Sequence, residues 1–154
     1  MLWFLDTLVS FPVPSAEGAD GISVMESLAR HGDSPPYHVH NREDEVFHLL
    51  EGELDLLVNG ERFRAVAGET RLLPKEVPHT YLVVSEQARW LVTTTGHNFE
   101  RFVEELSRPA ETPTLPPYEG PPTPEQQQHL EAVALRHGIK LIGPPLEAAA
   151  TRAA

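Results

Sequence analysis

The sequence predicts an all-β fold, a sandwich or closed barrel of short antiparallel strands. Through the first 95 residues, short runs rich in Val, Leu, Thr and aromatic residues alternate with turn signals. One pair of runs flanks Asn59-Gly60, a strong signal for a two-residue hairpin. Helical periodicity is confined to the part of the chain after Thr95. Many short strands with little helix are typical of double-sheet and barrel architectures.

The predicted strands follow from alternation of apolar and polar residues between turn residues. In chain order they are residues 2–9, 21–29, 45–50, 54–58, 62–66, 70–73, 79–84 and 88–95. His38 and His40 are also expected in a strand, before the polar turn at residues 41–44.

The composition changes after about Thr95. Asn98 is expected to cap a short helix whose apolar residues share one face, namely Phe99, Phe102, Val103 and Leu106. The proline-rich residues 109–122 are then expected to form an extended connector.

A second helix is expected to begin after Thr123, which heads a capping box with Gln126 and precedes Pro124. Gly138 is expected to end this helix, and residues 139–142 to add a short strand. We therefore assign residues 1–97 to a β-domain. Residues 98–154 are assigned to an extension that packs on that domain or on a second subunit, which makes the chain a candidate homodimer.

Length and charge exclude several classes of function. The 154 residues suggest one domain that is large enough to bury a core. The net charge of −11 argues against nucleic acids and anionic membranes as partners. With no cysteine, neither disulfides nor thiolate ligands contribute. The N-terminus lacks a basic segment and Asp6 interrupts its apolar run, so we expect no signal peptide or membrane span, and a cytoplasmic protein.

Three histidines and one glutamate have the spacing of a metal site. His38 and His40 lie on one face of a strand because alternate side chains point the same way. A hairpin would return Glu45 beside them, and His79 would arrive from a distant strand. Imidazoles with one carboxylate suit a divalent transition metal, namely Fe, Mn, Ni, Co, Cu or Zn, and suit Ca or Mg poorly. Glu45 would either ligate the metal or act as a catalytic general base.

The alternative is that these histidines are hydrogen-bonded core residues without a metal. His48 is expected to be structural because it lies on the face of its strand opposite to Glu45. Glu43 and Asp44 are expected in a solvated turn. The other histidines have no partner spacing and are expected at the surface or in packing, namely His31, His97, His129 and His137.

These residues sit in two motifs that resemble those of the cupin superfamily. The motifs read Gly32-x5-His38-x-His40-x4-Glu45-x6-Gly52 and Gly68-x5-Pro74-x4-His79. The residues in and around these motifs are similar to those of small single-domain bacterial cupins described as quercetin dioxygenase-like. The second motif departs from the family at Glu76, where cupins have glycine, and at Val83, where they have asparagine. The resemblance implies a double-stranded β-helix, or jelly-roll barrel, with one bound metal.

Strand alternation also predicts a substrate pocket beside the metal. If Glu45 and His79 face inward, so do Phe47, Tyr81 and Val83, and Trp90 would join them from the last strand. An apolar, aromatic lining is typical of small-molecule sites, although these residues would equally form barrel core. No basic residue is clearly inside the barrel, which counts against a phosphorylated sugar as the substrate. The sequence leaves open which way three strand arginines face, namely Arg62, Arg64 and Arg71.

Three functions are compatible with the predicted metal site and pocket. The resemblance implies a metal-dependent dioxygenase, similar to quercetin 2,3-dioxygenase, that acts on a small apolar or phenolic, flavonol-like substrate, with Glu45 accepting the substrate's proton. A non-catalytic cupin module that binds a small molecule is the first alternative. A metal-dependent isomerase or lyase, which would turn over without O2, is the second.

Overall fold

The computed structural model of the protein describes residues 1–149 and contains two antiparallel sheets and two helices. The strands are β1 (Leu2–Phe4), β2 (Thr7–Val13), β3 (Ile22–Arg30), β4 (Pro36–His40), β5 (Glu45–Glu51), β6 (Glu53–Val58), β7 (Glu61–Val66), β8 (Thr70–Leu73), β9 (His79–Val83), β10 (Gln87–Thr95), β11 (Ser107–Pro109) and β12 (Ile139–Pro145). The helices are α1 (Asn98–Glu105) and α2 (Pro124–Arg136). No helix in the described part is long and apolar enough to cross a membrane.

The two sheets face each other as a jelly roll, which confirms the predicted fold. The larger sheet has the order β11-β1-β2-β3-β10-β5-β8, and the smaller has β12-β4-β9-β6-β7. Strands distant in sequence are neighbours in both sheets, as when β10 lies between β3 and β5. The inner faces meet in a core whose largest fully buried side chains include Trp90, Leu54 and Leu56.

Local turn chemistry decides the boundaries of several strands. The β6–β7 hairpin is confirmed, since Asn59 and Gly60 both have positive φ (50° and 81°), as a type I′ turn requires. The prediction of one strand over residues 2–9 is wrong. The chain reverses at Leu5 (φ 53°) and Asp6, so that β1 folds back on β2 with Trp3 opposite Leu8.

The extension packs on the barrel and completes one of its sheets. β12 pairs with β4, placing Ile139 opposite His40, and α2 buries Val133 and Ala134 completely. The capping box of α2 is confirmed: Gln126 N–H donates to Thr123 Oγ1 (3.2 Å) and Thr123 N–H to Gln126 Oε1 (2.8 Å). Residues 150–154 of the predicted extension lie outside the described part of the chain.

The prediction that Asn98 caps α1 is wrong. His97 occupies the N-cap position and its side chain makes no capping hydrogen bond. Asn98 is the first residue of α1, and its side-chain amide donates instead to Glu43 and to the His137 carbonyl. The Asn98 amide therefore binds groups that are distant in the chain, whereas local sequence alone would assign it to the helix end.

The last glycine of the first motif is required for close packing, which a pair of alanine variants tests. Gly52 and Gly60 share a φ of 81°, so alanine at either site is strained by about 1–2 kcal/mol. A Cβ at Gly52 would also clash with the Gln87 carbonyl and lie 2.8 Å from Ala88 Cα, whereas one at Gly60 meets nothing within 4 Å. We expect Gly52→Ala to lower the free energy of unfolding by about 1–3 kcal/mol more than Gly60→Ala. Urea unfolding measures both, and equal losses would contradict this account.

Candidate metal centre

Three strands bring the predicted histidines and glutamate together at one site. β4 supplies His38 and His40 from the same face, β5 opens with Glu45, and β9 opens with His79. The pairing of β4 with β9 sets His38 directly opposite His79. One donor atom from each of the four side chains lies within 4.8 Å of the others. Alternation along β4 and antiparallel register across it therefore produce the cluster.

Glu45 lies among the imidazoles. Its Oε2 atom is 2.8 Å from His79 Nε2 and 3.3 Å from His40 Nε2. The ring centroid of His38 is 4.5 Å from that of His79 and 5.0 Å from that of His40. Glu45, His40 and His79 are buried, while His38 is partly exposed. The nitrogens and one carboxylate oxygen thus face a common point.

Backbone carbonyls set the tautomers of two of the histidines. His38 Nδ1 is 2.6 Å from the Pro36 carbonyl, and His79 Nδ1 is 3.4 Å from the Val77 carbonyl. A carbonyl oxygen can only accept, so Nδ1 carries a proton in each ring, and a neutral ring then keeps its lone pair on Nε2. The 2.8 Å contact of His79 Nε2 with Glu45 Oε2 therefore calls for a proton or a cation between these two atoms. Both Nε2 atoms are thereby prepared to donate to a metal, in the arrangement that protein metal sites generally use.

Glu43 is the residue that sequence reasoning missed. The expectation of a solvated turn holds for Asp44, which is exposed, but is wrong for Glu43, which is 2% exposed. Glu43 Oε1 lies 3.4 Å from His40 Nδ1, too poorly aligned for a hydrogen bond in this geometry. The carboxylate stands behind His40 on the side away from Glu45. A polar turn can bury one of its residues when a distant segment covers it, and the sequence of the turn carries no signal of this.

That distant segment is the start of α1. Asn98 Nδ2 donates to both oxygens of Glu43, at 3.1 and 3.3 Å. The same amide donates to the His137 carbonyl, and Arg42 donates to Asn98 Oδ1 at 2.8 Å. The extension is therefore linked by hydrogen bonds to the residue behind His40.

Burial and neighbouring charges shift the pKa values of the cluster in different directions. Burial lowers the pKa of His38 to about 3, helped by the neighbouring His79 and His40, so its ring is neutral at pH 7. Burial alone would raise the pKa of Glu45, but His40 and His79 more than offset this and hold it well below its ordinary value. Burial opposes a proton on His40, yet Glu45 and Glu43 outweigh it and raise the pKa of His40.

The donor set fits a divalent transition metal. Two almost fully buried carboxylates, Glu43 and Glu45, flank His40, and such a concentration of negative charge needs a cation nearby. His40 Nδ1 is also a buried nitrogen without a hydrogen bond in this arrangement. A cation at Nε2 would make Nδ1–H more acidic and strengthen its interaction with Glu43.

An apolar cavity of about 90 Å³ adjoins the cluster. Phe47, Tyr81 and Trp90 line it, as the sequence predicts. Val83 does not line it and is fully buried in the core instead. Val83 shares the face of His79, but four residues along β9 carry it about 13 Å from the cluster.

The other polar residues considered from sequence lie away from the cluster. Arg62 and Arg64 donate to Asp55, and Arg71 donates to Glu69. His48 Nδ1 contacts Thr70 Oγ1 at 2.7 Å, on the side of β5 opposite to Glu45, which confirms its structural position.

Comparison with known proteins agrees with this fold. The family model described as "Cupin domain" matches residues 24–94. Quercetin 2,3-dioxygenase from Bacillus subtilis (strain 168) is 31% identical over 87 residues, which are 56% of this chain and 26% of that protein. The chain thus spans about a quarter of the length of that curated relative.

Solved structures share the fold at low identity. A sugar phosphate isomerase from Silicibacter pomeroyi has a TM-score of 0.54 and 18% identity, covering 60% of this chain and 61% of that chain. The polyketide cyclase RemF from Streptomyces resistomycificus has a TM-score of 0.53 and 23% identity, covering 59% of this chain and 66% of that chain. At these identities the likeness shows the fold alone.

Glu43 is expected to strengthen metal binding through His40. Glu43→Gln keeps the shape of the side chain but removes the carboxylate that faces His40 Nδ1. We expect affinity for a divalent transition metal to fall by about 10–100-fold, as for other partners of ligating histidines. Competition with a chromophoric chelator measures this. Asp44→Asn, which alters the exposed neighbouring carboxylate, is the control, and equal affinity in Glu43→Gln and wild type would contradict the role.

Asp33, whose carboxylate accepts from Tyr81 Oη (3.0 Å), is expected to make stability depend on pH. Burial raises the pKa of Asp33 from 3.8 to about 6, against the opposing hydrogen bond from Tyr81. As pH rises from about 4 to about 6, Asp33 loses its proton in the unfolded chain before it does so in the folded protein. The contribution of Asp33 to the free energy of unfolding therefore falls, by at most about 3 kcal/mol.

Urea unfolding at pH 4 and pH 6.5 tests this expectation. Asp33→Asn should lose less stability over that interval than wild type. The exposed Asp20→Asn should behave like wild type. An unchanged pH dependence in Asp33→Asn would assign the effect to other groups.

Proposed function

The chain belongs to the cupin superfamily, and from this premise we propose that it is a metal-dependent dioxygenase acting on a small apolar or phenolic molecule. One observation carries the proposal: three imidazoles and a carboxylate converge on a point in the wall of an apolar cavity. Such a site combines an ion-binding cluster with a mostly apolar space for an organic molecule.

The proposed metal ligands are His38, His40 and His79, with Glu45 as the fourth. A bound redox-active ion, namely Fe, Mn, Ni, Co or Cu, would supply a Lewis-acidic centre for the substrate oxygen and O2. Zinc would fit the same donors but has no redox chemistry, so its presence would favour an isomerase or lyase.

Glu45 has two compatible roles in this proposal. It is the carboxylate nearest to the proposed ligand nitrogens and it lines the cavity. It would either complete the ligand set or accept the proton of a phenolic hydroxyl. Glu45→Gln separates the roles, because loss of bound metal marks a ligand, whereas retained metal with lost turnover marks a base.

The cavity walls would orient the substrate and exclude water. Phe47, Tyr81 and Trp90 contribute aromatic surface, with the Tyr81 and Trp90 rings 5.1 Å apart at 69°. Aromatic walls favour a flat, apolar molecule through offset and edge-to-face contacts. The likeness to quercetin 2,3-dioxygenase, which extends over about a quarter of that protein's length, supports oxygenation of a phenolic compound.

Removal of His79 tests the site and the reaction together. We expect His79→Ala to lose bound metal and any O2 consumption, because the variant lacks an imidazole directed at the cluster. Elemental analysis and O2 uptake with phenolic compounds measure both. His48→Ala is the control, since His48 contacts Thr70 on the other side of β5.

The outcomes separate the candidate functions. Unchanged metal content in His79→Ala would contradict the assigned site. A metal-loaded wild-type protein that binds a phenolic compound but consumes no O2 would favour the non-catalytic binding module. Turnover without O2 would identify an isomerase or lyase.

A further inference from the structure

We propose that the C-terminal extension limits this site to apolar molecules no larger than a single ring, which present one oxygen to the metal cluster. The inference deepens the proposed function by naming the substrate class, and it rests on that function only for the role of the metal. It excludes three-ring flavonols from the site.

The walls of the cavity come from two parts of the chain. The barrel supplies an inner wall, formed by residues that include Met25, Phe47, Trp90 and Val92. The extension supplies a second wall, formed by Phe99 and Phe102 of α1, Leu130 of α2, and Ile139 and Leu141 of β12. Leu130 and Leu141 are partly exposed as well as lining the cavity, so they lie at its boundary with solvent.

The extension wall is fixed to the cluster. β12 pairs with β4, which sets Ile139 opposite His40 and Leu141 opposite His38. The Asn41 N–H donates to the Gly138 carbonyl at 2.8 Å, where α2 meets β12. Because these bonds join the wall to the strand that carries two proposed ligands, displacing β12 to admit a larger molecule would disturb the site.

The size of the cavity sets the limit on the ligand. At about 90 Å³ it is well below the roughly 300–1,000 Å³ of common small-molecule pockets. It is also smaller than the apolar cavity of about 150 Å³ that accepts benzene in an engineered protein. A single ring is therefore the largest body that fits with small side-chain adjustments, and a fused or linked set of rings requires removal of part of the wall.

The chemistry of the lining selects an apolar body. Apart from the cluster, its free polar groups are few: the buried hydroxyls of Thr7 and Ser27, and the Trp90 indole N–H, which has no hydrogen-bond partner, whereas Tyr81 Oη already donates to Asp33. Within residues 1–149, no Lys or Arg lines the cavity, so a phosphate or carboxylate group would lack a charged partner. The ligand oxygen is best accommodated at the cluster itself.

Leu130 is the place where the wall can be opened with least disturbance. It is the residue of α2 that lines the cavity, whereas the helix is anchored by Val133 and Ala134. Leu130→Ala would remove the outer part of the wall and leave this anchor in place. Leu135→Ala is the matched control, because Leu135 lies on the same helix, is 55% exposed and does not line the cavity.

Binding of two phenolic probes tests the size limit. Titration calorimetry with p-cresol, which has one ring, and 3-hydroxyflavone, which has three, is carried out on zinc-loaded and metal-free protein. Zinc prevents oxidative turnover because it has no redox chemistry, and elemental analysis of the same samples reports loading. We expect wild type to bind p-cresol at least 100-fold more tightly than 3-hydroxyflavone. Leu130→Ala should reduce that ratio at least tenfold, and Leu135→Ala should leave it unchanged.

The two proposals fail in different ways. Equal binding of both probes to wild type, or binding of neither, would overturn the size limit even if zinc loads fully. An unchanged ratio in both Leu130→Ala and the second wall variant Leu141→Ala would overturn the role of the extension. Discrimination by size in a protein that takes up no metal would sustain this inference and contradict the proposed function.

Discussion

The approach of Glu45 to three imidazoles is the interaction on which the rest of the structure depends. A carboxylate buried to this degree is tolerable only with compensating partners, and the jelly roll provides them by placing β4, β5 and β9 together. The same pairing leaves His38 and His79 with their Nδ1 protons held by backbone carbonyls. Local backbone geometry and long-range strand pairing therefore combine to direct the lone pairs at one point.

The extension belongs to the site as much as the barrel does. Through Asn98 it holds Glu43 behind His40, and through β12 it adds a strand beside β4. The side chains it contributes turn an open barrel end into a small cavity. A jelly roll by itself is compatible with many reactions, as its occurrence in an isomerase and a cyclase illustrates. In this chain the extension adds a wall beside the histidine cluster.

Several elements could be predicted because their signals are local. The Asn59-Gly60 turn and the Thr123 capping box depend on residues a few positions apart, and both formed as expected. The positions of Glu43 and Asn98 could not be predicted in this way. Each looked like an ordinary turn or cap residue, and each acquired its role from a partner 55 positions away in the chain. The assignment of Val83 to the cavity failed for a related reason, since alternation gives the face of a strand but not how far along it a cavity extends.

The amino-acid sequence by itself determined the jelly-roll fold and the four side chains of the cluster, because period-two alternation and motif spacing specify which residues share a face. The tertiary structure alone decided which carboxylate stands behind His40, where the cavity ends and how small it is. Those features arise from side chains on α1, α2 and β12 that meet the barrel only after folding. Volume and burial are properties of surfaces brought together, and no single segment of the chain contains that information.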